Sequence, residues 1–348
     1  MNAPDRPRMI AGSGRSGTTW VLDVIATTFQ LRPIFEPLHP TAIEETKPFA
    51  WRFLPPGITV PGIEDYFRRV FAGQVSTIWT DYRVHPRSIF PHPSDLNNLQ
   101  ALNRLGHDWL FALRQYRSYR TWRKRDETIV KCIRSNLLLS WLVKTFDAKI
   151  VLLVRHPGAV VESKLRLAGI SWDPQVMLET YRKDPYLYLL RGGLYHKLLS
   201  EDLSAAQTLT LLWCIENQTP MSEALEFGYH TVHYENLVDD GAVCWNQLAE
   251  FFELSDPMWN NELLTRPSQQ ASSLWRHSRE GIRSHDTWMD RLSQDALNDI
   301  DSILNETNEQ AYVIEQAKPK AVILPLHDPE SLSDSQSYHH ITQFNSDY

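Results

Sequence analysis

Short apolar runs alternate along this chain with segments whose apolar positions recur every three or four residues. The runs predict strands at residues 8–11, 31–35, 128–133, 149–154 and 231–234. The periodic segments predict helices at residues 18–29, 137–146, 244–252 and 291–315, with mainly helical sequence from 160 to 227. This alternation predicts an α/β fold, in which helices flank both faces of a central parallel sheet.

Two neighbouring stretches interrupt the alternation. Residues 38–100 are rich in proline and predict loops and short helices over a site, whereas residues 101–125 predict a very basic helix. The basic residues of that helix could dock an anionic acceptor such as an acidic glycan. Alternatively, they form a solvated face or contact acidic parts of the chain. The 348 residues, 42% of them hydrophobic, suffice for one large core. We expect a single domain over 1–317, with 38–127 as an insertion or lid and 318–348 as a tail.

The net charge of −7 conceals a strong asymmetry. Residues 1–200 contain 28 basic and 17 acidic residues, a charge of +11, and residues 201–348 contain 7 and 25, a charge of −18. This distribution indicates that an anionic ligand is held by the first half. The alternative is two oppositely charged faces that only attract each other.

Several classes of protein are disfavoured by composition. Cys132, Cys214 and Cys244 form no CxxC pair, which predicts reduced thiols, a cytoplasmic setting and no metal site. We expect no membrane span, because no run reaches the ~18 apolar residues required, and no signal peptide. The acidic total disfavours nucleic acid as a partner. The oligomeric state stays open.

A glycine-rich loop follows the first predicted strand and reads GSGRSGTTW from Gly12 to Trp20. Glycines at a strand–helix junction aim backbone N–H groups inward, which is typical of phosphate binding. The loop departs from the nucleotide-binding pattern G-x-x-x-x-G-K-[ST], because Thr18 replaces the lysine that contacts the β- and γ-phosphates. This difference argues against a P-loop kinase and favours a phosphate ester without a γ-phosphate.

Residues Arg15 to Trp20 resemble the 5′-phosphosulfate loop of sulfotransferases that use 3′-phosphoadenylyl sulfate (PAPS), which typically reads Lys-Ser-Gly-Thr-Thr-Trp. The resemblance implies donor contacts by six consecutive residues: Arg15, Ser16, Gly17, Thr18, Thr19 and Trp20. An ordinary glycine-rich turn is the alternative for the loop, and core packing is the alternative for the tryptophan.

A second segment resembles the 3′-phosphate motif of the same family. Arg155 ends a buried strand, and Ser163 follows it by eight residues. Arginine offers a planar fork of charge-assisted donors, and the carboxyl ends of parallel strands line the ligand crevice. An arginine that caps the sheet beside a solvated serine is the alternative. Arg279 weakly resembles a further 3′-phosphate contact, with Arg276 nearby, and residues 232–238 resemble a structural segment behind the site.

Sulfuryl transfer needs cations on the moving group and a base for the acceptor proton. The resemblance assigns Arg15 to the leaving phosphate and Lys131 to the sulfuryl group. The histidine base of cytosolic members would fall at Ile133, which cannot take a proton. Residues 35–38 read Phe-Glu-Pro-Leu at the end of the second strand and resemble a segment of carbohydrate sulfotransferases, so we expect Glu36 to be the base, with a pKa raised by the nearby polyanion. Alternatively, Glu36 binds an arginine such as Arg15 and only orients it. His39 and His85 are reserve bases.

Taken together, the motifs predict a PAPS-dependent sulfotransferase closer to the carbohydrate type than to the phenol or steroid type. Its product would be adenosine 3′,5′-bisphosphate, its acceptor a hydroxyl of a carbohydrate or glycolipid, and its chemistry free of metal. The alternative is a protein that binds nucleotide or glycan on the same fold without catalysis.

Overall fold

The computed structural model describes residues 6–77, 80–81, 124–167, 174–184, 186–187, 190, 193–265 and 286–320. Within these ranges the strands are β1 (Arg8–Ala11), β2 (Arg32–Phe35), β3 (Thr128–Cys132), β4 (Lys149–Val154) and β5 (His230–His233). The α-helices are α1 (Thr18–Thr28), α2 (Pro61–Phe71), α3 (Leu139–Phe146), α4 (Pro157–Leu165), α5 (Pro174–Arg182), α6 (Leu194–Leu199), α7 (Ala205–Phe227), α8 (Tyr234–Asp239), α9 (Gly241–Phe251), α10 (Asn261–Thr265) and α11 (Gln294–Glu306). Short 3₁₀ helices lie at Glu44–Thr46 and Asn136–Leu138.

The strands form one parallel sheet in the order β2-β3-β1-β4-β5. Met9 of the central strand pairs with Val130 of β3 on one side and with Ile150 of β4 on the other. The chain first leaves β1 toward β2 and later crosses to β4, so the strand order reverses at the carboxyl end of β1. Ligands bind at such reversals in open parallel sheets. The prediction of an α/β fold with a central parallel sheet is confirmed.

Helices cover both faces of the sheet. Successive β1 side chains point to opposite faces and therefore pack against different helices. Met9 packs in one apolar cluster with Trp213 of α7, whereas Ile10 packs in the other with Trp20 of α1 and Trp245 of α9. Full burial of a large apolar side chain contributes roughly 1.5–3 kcal/mol. Both clusters therefore hold the sheet edge, and the loops that leave it, in place.

The last helix is shorter than its apolar pattern suggests. The sequence predicts a helix over 291–315, but α11 begins after Ser293, whose hydroxyl caps the Ala296 N–H, and it ends at Glu306. Asn308 adopts a left-handed φ of 51°, which turns the chain. Beyond that turn Tyr312 is buried against the sheet edge and not on a helix face. The prediction is wrong for residues 307–315 because tertiary packing supplies their burial.

The proline-rich stretch is described only in part. Up to residue 77 it holds loops, one 3₁₀ helix and α2, as predicted for loops and short helices. Residues 101–123 of the basic segment and the tail beyond 320 lie outside the described residues. Across the described ranges, no helix is long and apolar enough to cross a membrane. Cys132, Cys214 and Cys244 are all free thiols.

Candidate active site

The glycine-rich loop leaves β1 under tight steric limits. A Cβ on Gly12 would lie 2.3 Å from the Leu153 carbonyl oxygen, and one on Gly17 would lie 2.8 Å from the Tyr234 ring. Gly17 also has a φ of 97°, which L-residues rarely adopt. The Gly12 N–H donates to Asn136 Oδ1 over 3.1 Å. The loop shape therefore depends on both glycines and on the segment after β3.

The interior of this loop is polar and turned inward. The Ser16 N–H and hydroxyl donate to the Ser13 carbonyl over 3.2 and 2.6 Å, which closes a turn. The Ser13 hydroxyl is buried and has no hydrogen-bond partner among the described residues. No described side chain caps the start of α1, where Thr18 and Thr19 are buried. Such a helix N-terminus favours an anion, since its leading N–H groups lack carbonyl partners inside the helix.

Two arginines meet above the loop. Arg15, with a left-handed φ of 77°, donates from Nε to the Ser163 hydroxyl over 2.9 Å. Arg155 donates from a terminal nitrogen to the Arg15 carbonyl over 3.2 Å and lies 4.6 Å from the centre of the Tyr234 ring. The Arg155 Nε is buried without a hydrogen-bond partner in the described part of the chain. The structure thus brings Arg15, Arg155 and Ser163 together.

These cations are under mutual repulsion. The pKa of Arg15 is lowered by burial and by the like charges of Arg155 and Arg166, and Glu162 opposes the shift. Burial is the main cause of this shift, and the neighbouring arginines add to it, so positive charge is concentrated at this point of the site. A bound polyanion would supply that compensation and would accept the hydrogen bond that the Arg155 Nε offers.

Hydrogen bonds from behind the sheet fix the backbone at Arg155. The Trp213 indole donates to the Arg155 carbonyl over 2.9 Å. The buried Glu235 carboxylate accepts the His156 N–H over 2.9 Å and the Tyr312 hydroxyl over 3.0 Å. The segment 232–238 therefore lies behind the site, in the structural place that its resemblance implies.

His156 is a neutral, buried imidazole that packs behind Arg155. Its Nδ1 accepts the Gly158 N–H over 3.0 Å, so its Nε2 carries the proton and donates to the Val313 carbonyl over 3.1 Å. Its ring stacks on Trp288 with centroids 4.4 Å apart. Burial lowers the pKa of His156 to about 4, with Arg155 adding to the effect and the Val313 contact opposing it.

A second charged group, the Glu36 cluster, consists of Glu36, Lys131, Arg134 and the Ile133 N–H. Glu36 follows β2, and its carboxylate accepts from Lys131 Nζ on one oxygen and from Arg134 over 2.7 Å on the other. The Ile133 N–H reaches both oxygens at 3.2–3.3 Å. Only 2% of Glu36 is exposed. Both oxygens are thus already engaged.

These contacts reverse the expected pKa of Glu36. Burial opposes ionisation, but Lys131, Arg134 and the Ile133 N–H outweigh it and lower the pKa of the carboxyl. The raised pKa was expected beside a polyanionic donor, and that expectation did not include the two adjacent cations, which lower the pKa. The arginine that Glu36 binds is Arg134, which the sequence interpretation did not single out, and not Arg15.

His39 lies beside the Glu36 cluster. Its imidazole is about half-buried, with Nδ1 3.0 Å from the Thr41 hydroxyl. Burial, and then the charge of Arg134, lower the pKa of His39 to about 4, against an opposing effect of Glu36. The ring is therefore neutral at neutral pH, with a nitrogen lone pair that can accept a proton.

Trp20 belongs to the core. It is 3% exposed, and its ring makes edge contacts with Tyr234 and Trp245 at centroid distances of 5.7 and 5.2 Å. Its indole N–H donates to the Leu263 carbonyl over 3.3 Å. These contacts leave no open face for adenine, so the stacking role is corrected to core packing, the alternative that the sequence allowed.

Some candidate residues cannot be placed. His85, Arg276 and Arg279 lie outside the described residues. Two residues that the structure adds, Arg134 and Asn136, follow β3 directly; a strand end in an α/β pattern was the signal that could have found them. In the described part of the chain, no group of three or more His, Cys, Asp or Glu side chains could hold a metal ion.

The solved structures that are similar to this chain include two sulfotransferase domains. One is from the curacin biosynthetic pathway, with 17% identity over 78% of this chain and 80% of that chain and a TM-score of 0.39. The other is from the Synechococcus PCC 7002 olefin synthase, with 18% identity over 90% of this chain and 98% of that chain and a TM-score of 0.41. No family model and no curated protein matches the sequence. At such low identity and TM-score these are likenesses only, so function is inferred from the site's own residues.

Proposed function

We propose that this chain is a sulfotransferase that uses PAPS as donor, releases adenosine 3′,5′-bisphosphate and acts on an acceptor hydroxyl of a carbohydrate or glycolipid. The observation that carries the proposal is the meeting of Arg15, Arg155 and Ser163 above a phosphate-type loop. Two part-buried arginines beside this loop favour a polyanion as the ligand. The resemblance of both motifs to the PAPS-binding segments supports this choice of polyanion.

Each end of the donor has a proposed set of contacts. The loop residues Ser16, Gly17, Thr18 and Thr19, with Arg15, hold the 5′-phosphosulfate at the start of α1. Arg155 and Ser163 hold the 3′-phosphate, and Arg279 is a further proposed contact there. The buried, unpartnered Arg155 Nε supports this assignment, because a buried donor without an acceptor is costly unless a ligand supplies one.

The donor supplies an activated sulfuryl group whose transfer needs no metal. The S–O bond to the 5′-phosphate breaks, a new S–O bond forms to the acceptor oxygen, and the phosphate keeps the electron pair of the broken bond. Arg15 stabilises the charge that grows on this phosphate, and Lys131 stabilises the sulfuryl oxygens. The acceptor proton passes to a base of the protein.

The contacts of Glu36 favour its orienting role over its role as the base. A carboxylate that is 2% exposed, with both oxygens engaged by Lys131 and Arg134, is poorly placed to take an acceptor proton, but it fixes these two cations firmly. We propose that Glu36 positions these cations and that His39, neutral and part-exposed beside them, takes the proton. A bound polyanion would raise the pKa of His39 toward the range useful for catalysis.

Ligand-induced thermal stabilisation tests the donor proposal. We expect adenosine 3′,5′-bisphosphate to raise the melting temperature more than ATP with Mg²⁺ at equal concentration. The opposite ranking would reject the PAPS assignment and favour a kinase. Binding of the bisphosphate without transfer of labelled sulfate to glycans, lipids or phenols would instead favour the non-catalytic alternative.

A further inference from the structure

A cleft of about 540 Å³ opens beside the Glu36 cluster. One wall is the segment after β2, with Lys47, Trp51 and Arg52, and the other is the end of α5, with Glu179 and Lys183. Its volume lies within the range of small-molecule sites. It is separate from the loop and arginines that the donor is proposed to use.

Trp51 connects this cleft to the Glu36 cluster. The backbone N–H of Trp51 donates to the Arg134 carbonyl over 2.9 Å, and the Arg134 guanidinium lies 4.8 Å from the centre of the Trp51 ring. Trp51 also has a left-handed φ of 61°, a conformation that surrounding structure must hold in place. A molecule in the cleft therefore lies one side chain away from the Arg134–Glu36 ion pair.

The two walls are tied together by Asp184. Its buried carboxylate accepts the Phe53 N–H over 2.8 Å from one wall and the Tyr186 N–H over 2.9 Å from the chain after α5. Backbone hydrogen bonds to a buried carboxylate are strong and directional. The cleft is therefore formed before any ligand binds.

The charge of the cleft is predominantly positive. Three cations and one carboxylate line it, namely Lys47, Arg52 and Lys183 with Glu179. Lys47 pairs with Glu44 over 3.1 Å and Glu179 with Arg182 over 2.7 Å, whereas Arg52 interacts electrostatically with the buried Asp184 carboxyl. A terminal nitrogen of Arg52 is buried and has no hydrogen-bond partner among the described residues. A guanidinium donor in this state fits a carboxylate, which accepts hydrogen bonds in the plane that arginine offers.

We propose that the cleft binds the acceptor through a carboxylate held by Arg52, with a ring face of the acceptor on Trp51. The acceptor class is thus narrowed to acidic sugars of the uronic acid type. That the bound sugar is the acceptor of the transfer rests on the proposed function, whereas the binding of a sugar carboxylate in this cleft does not depend on it.

Two probes that differ in one group test this cleft: 4-nitrophenyl β-D-glucuronide and 4-nitrophenyl β-D-glucoside. Their dissociation constants are measured by ligand-observed NMR on the full chain, with and without adenosine 3′,5′-bisphosphate. We expect the glucuronide to bind about tenfold more tightly, as one charge-assisted hydrogen-bond pair provides. Arg52→Gln should remove this preference and leave glucoside binding unchanged.

Arg6→Gln is the matched control, because Arg6 is exposed and pairs with Asp147 at the amino ends of β1 and β4. It should leave the preference intact, and Lys183→Gln should reduce it about threefold. If Arg52→Gln does not fold, the Lys47→Gln, Lys183→Gln double variant decides in its place. Equal binding of the two probes, no binding of either, or a preference that survives these variants would overturn the inference. Loss of bisphosphate binding with an intact glucuronide preference would reject the donor proposal alone.

Discussion

The 3′-phosphate assignment can be tested by Arg155→Gln. The glutamine amide ends near the place of the Arg155 Nε, so the positive charge and the terminal nitrogen that donates to the Arg15 carbonyl are lost. Each hydrogen bond from a charged donor contributes about 1.5–3 kcal/mol, and this variant removes one or two. We expect a net loss of about 3 kcal/mol, which is roughly a hundredfold in affinity for adenosine 3′,5′-bisphosphate.

Calorimetry with two nucleotides separates this effect from a general loss of structure. Adenosine 5′-monophosphate lacks the 3′-phosphate, so Arg155→Gln should change its affinity less than about threefold. Relief of the repulsion between Arg15 and Arg155 should also leave the melting temperature of the ligand-free protein unchanged or higher. Arg6→Gln should affect neither nucleotide. An equal loss for both nucleotides, or no loss for the bisphosphate, refutes the assignment.

Four further variants address other parts of the site. Gly17→Ala places a Cβ 2.8 Å from the Tyr234 ring at a φ of 97°. We expect this variant to lower the free energy of unfolding by about 2 kcal/mol, measured by urea denaturation, and to weaken bisphosphate binding. Unchanged stability and binding would contradict the steric argument. His39→Asn should reduce kcat by roughly a hundredfold or more with little change in donor affinity. Glu36→Gln should change donor affinity as well as kcat, because Lys131 and Arg134 lose their partner. A loss of kcat alone in Glu36→Gln, with a change of donor affinity in His39→Asn, would return Glu36 to the role of base. His156 is neutral in the folded protein, with a pKa of about 4 against ~6.5 in the unfolded chain. The free energy of unfolding should therefore be highest above pH 6.5 and about 2 kcal/mol lower at pH 5, because the unfolded chain takes up the proton first. His156→Gln should reduce this loss in urea denaturation, and an unaltered pH profile would show that His156 does not cause it.

Local sequence predicted the parts of the site that are local in the fold. The strand–loop–helix around Gly12–Thr18 and the strand that ends at Arg155 each lie within one short segment, so periodicity and glycine positions locate them. The α/β architecture followed from the alternation of such segments. The contact between Arg15 and Ser163 was not predicted, because it depends on β1 lying next to β4.

The charge environment of Glu36 could not be predicted in the same way. Its partners Lys131 and Arg134 lie 95 and 98 residues along the chain. They reach Glu36 because β2 pairs with β3, and strand order is not encoded in any local pattern. The same holds for Asn136, which supports Gly12 from the loop after β3, and for the burial of Trp20.

The most direct test of the central claim is the transfer of labelled sulfate from PAPS in the presence of an acceptor panel that includes uronic acid glycosides, neutral glycosides, lipids and phenols. We predict labelled product on a sugar hydroxyl, stoichiometric release of adenosine 3′,5′-bisphosphate and loss of both in Arg155→Gln at limiting PAPS. No label on any acceptor, together with no binding of adenosine 3′,5′-bisphosphate, would contradict the proposal that this site is a PAPS-dependent sulfotransferase site.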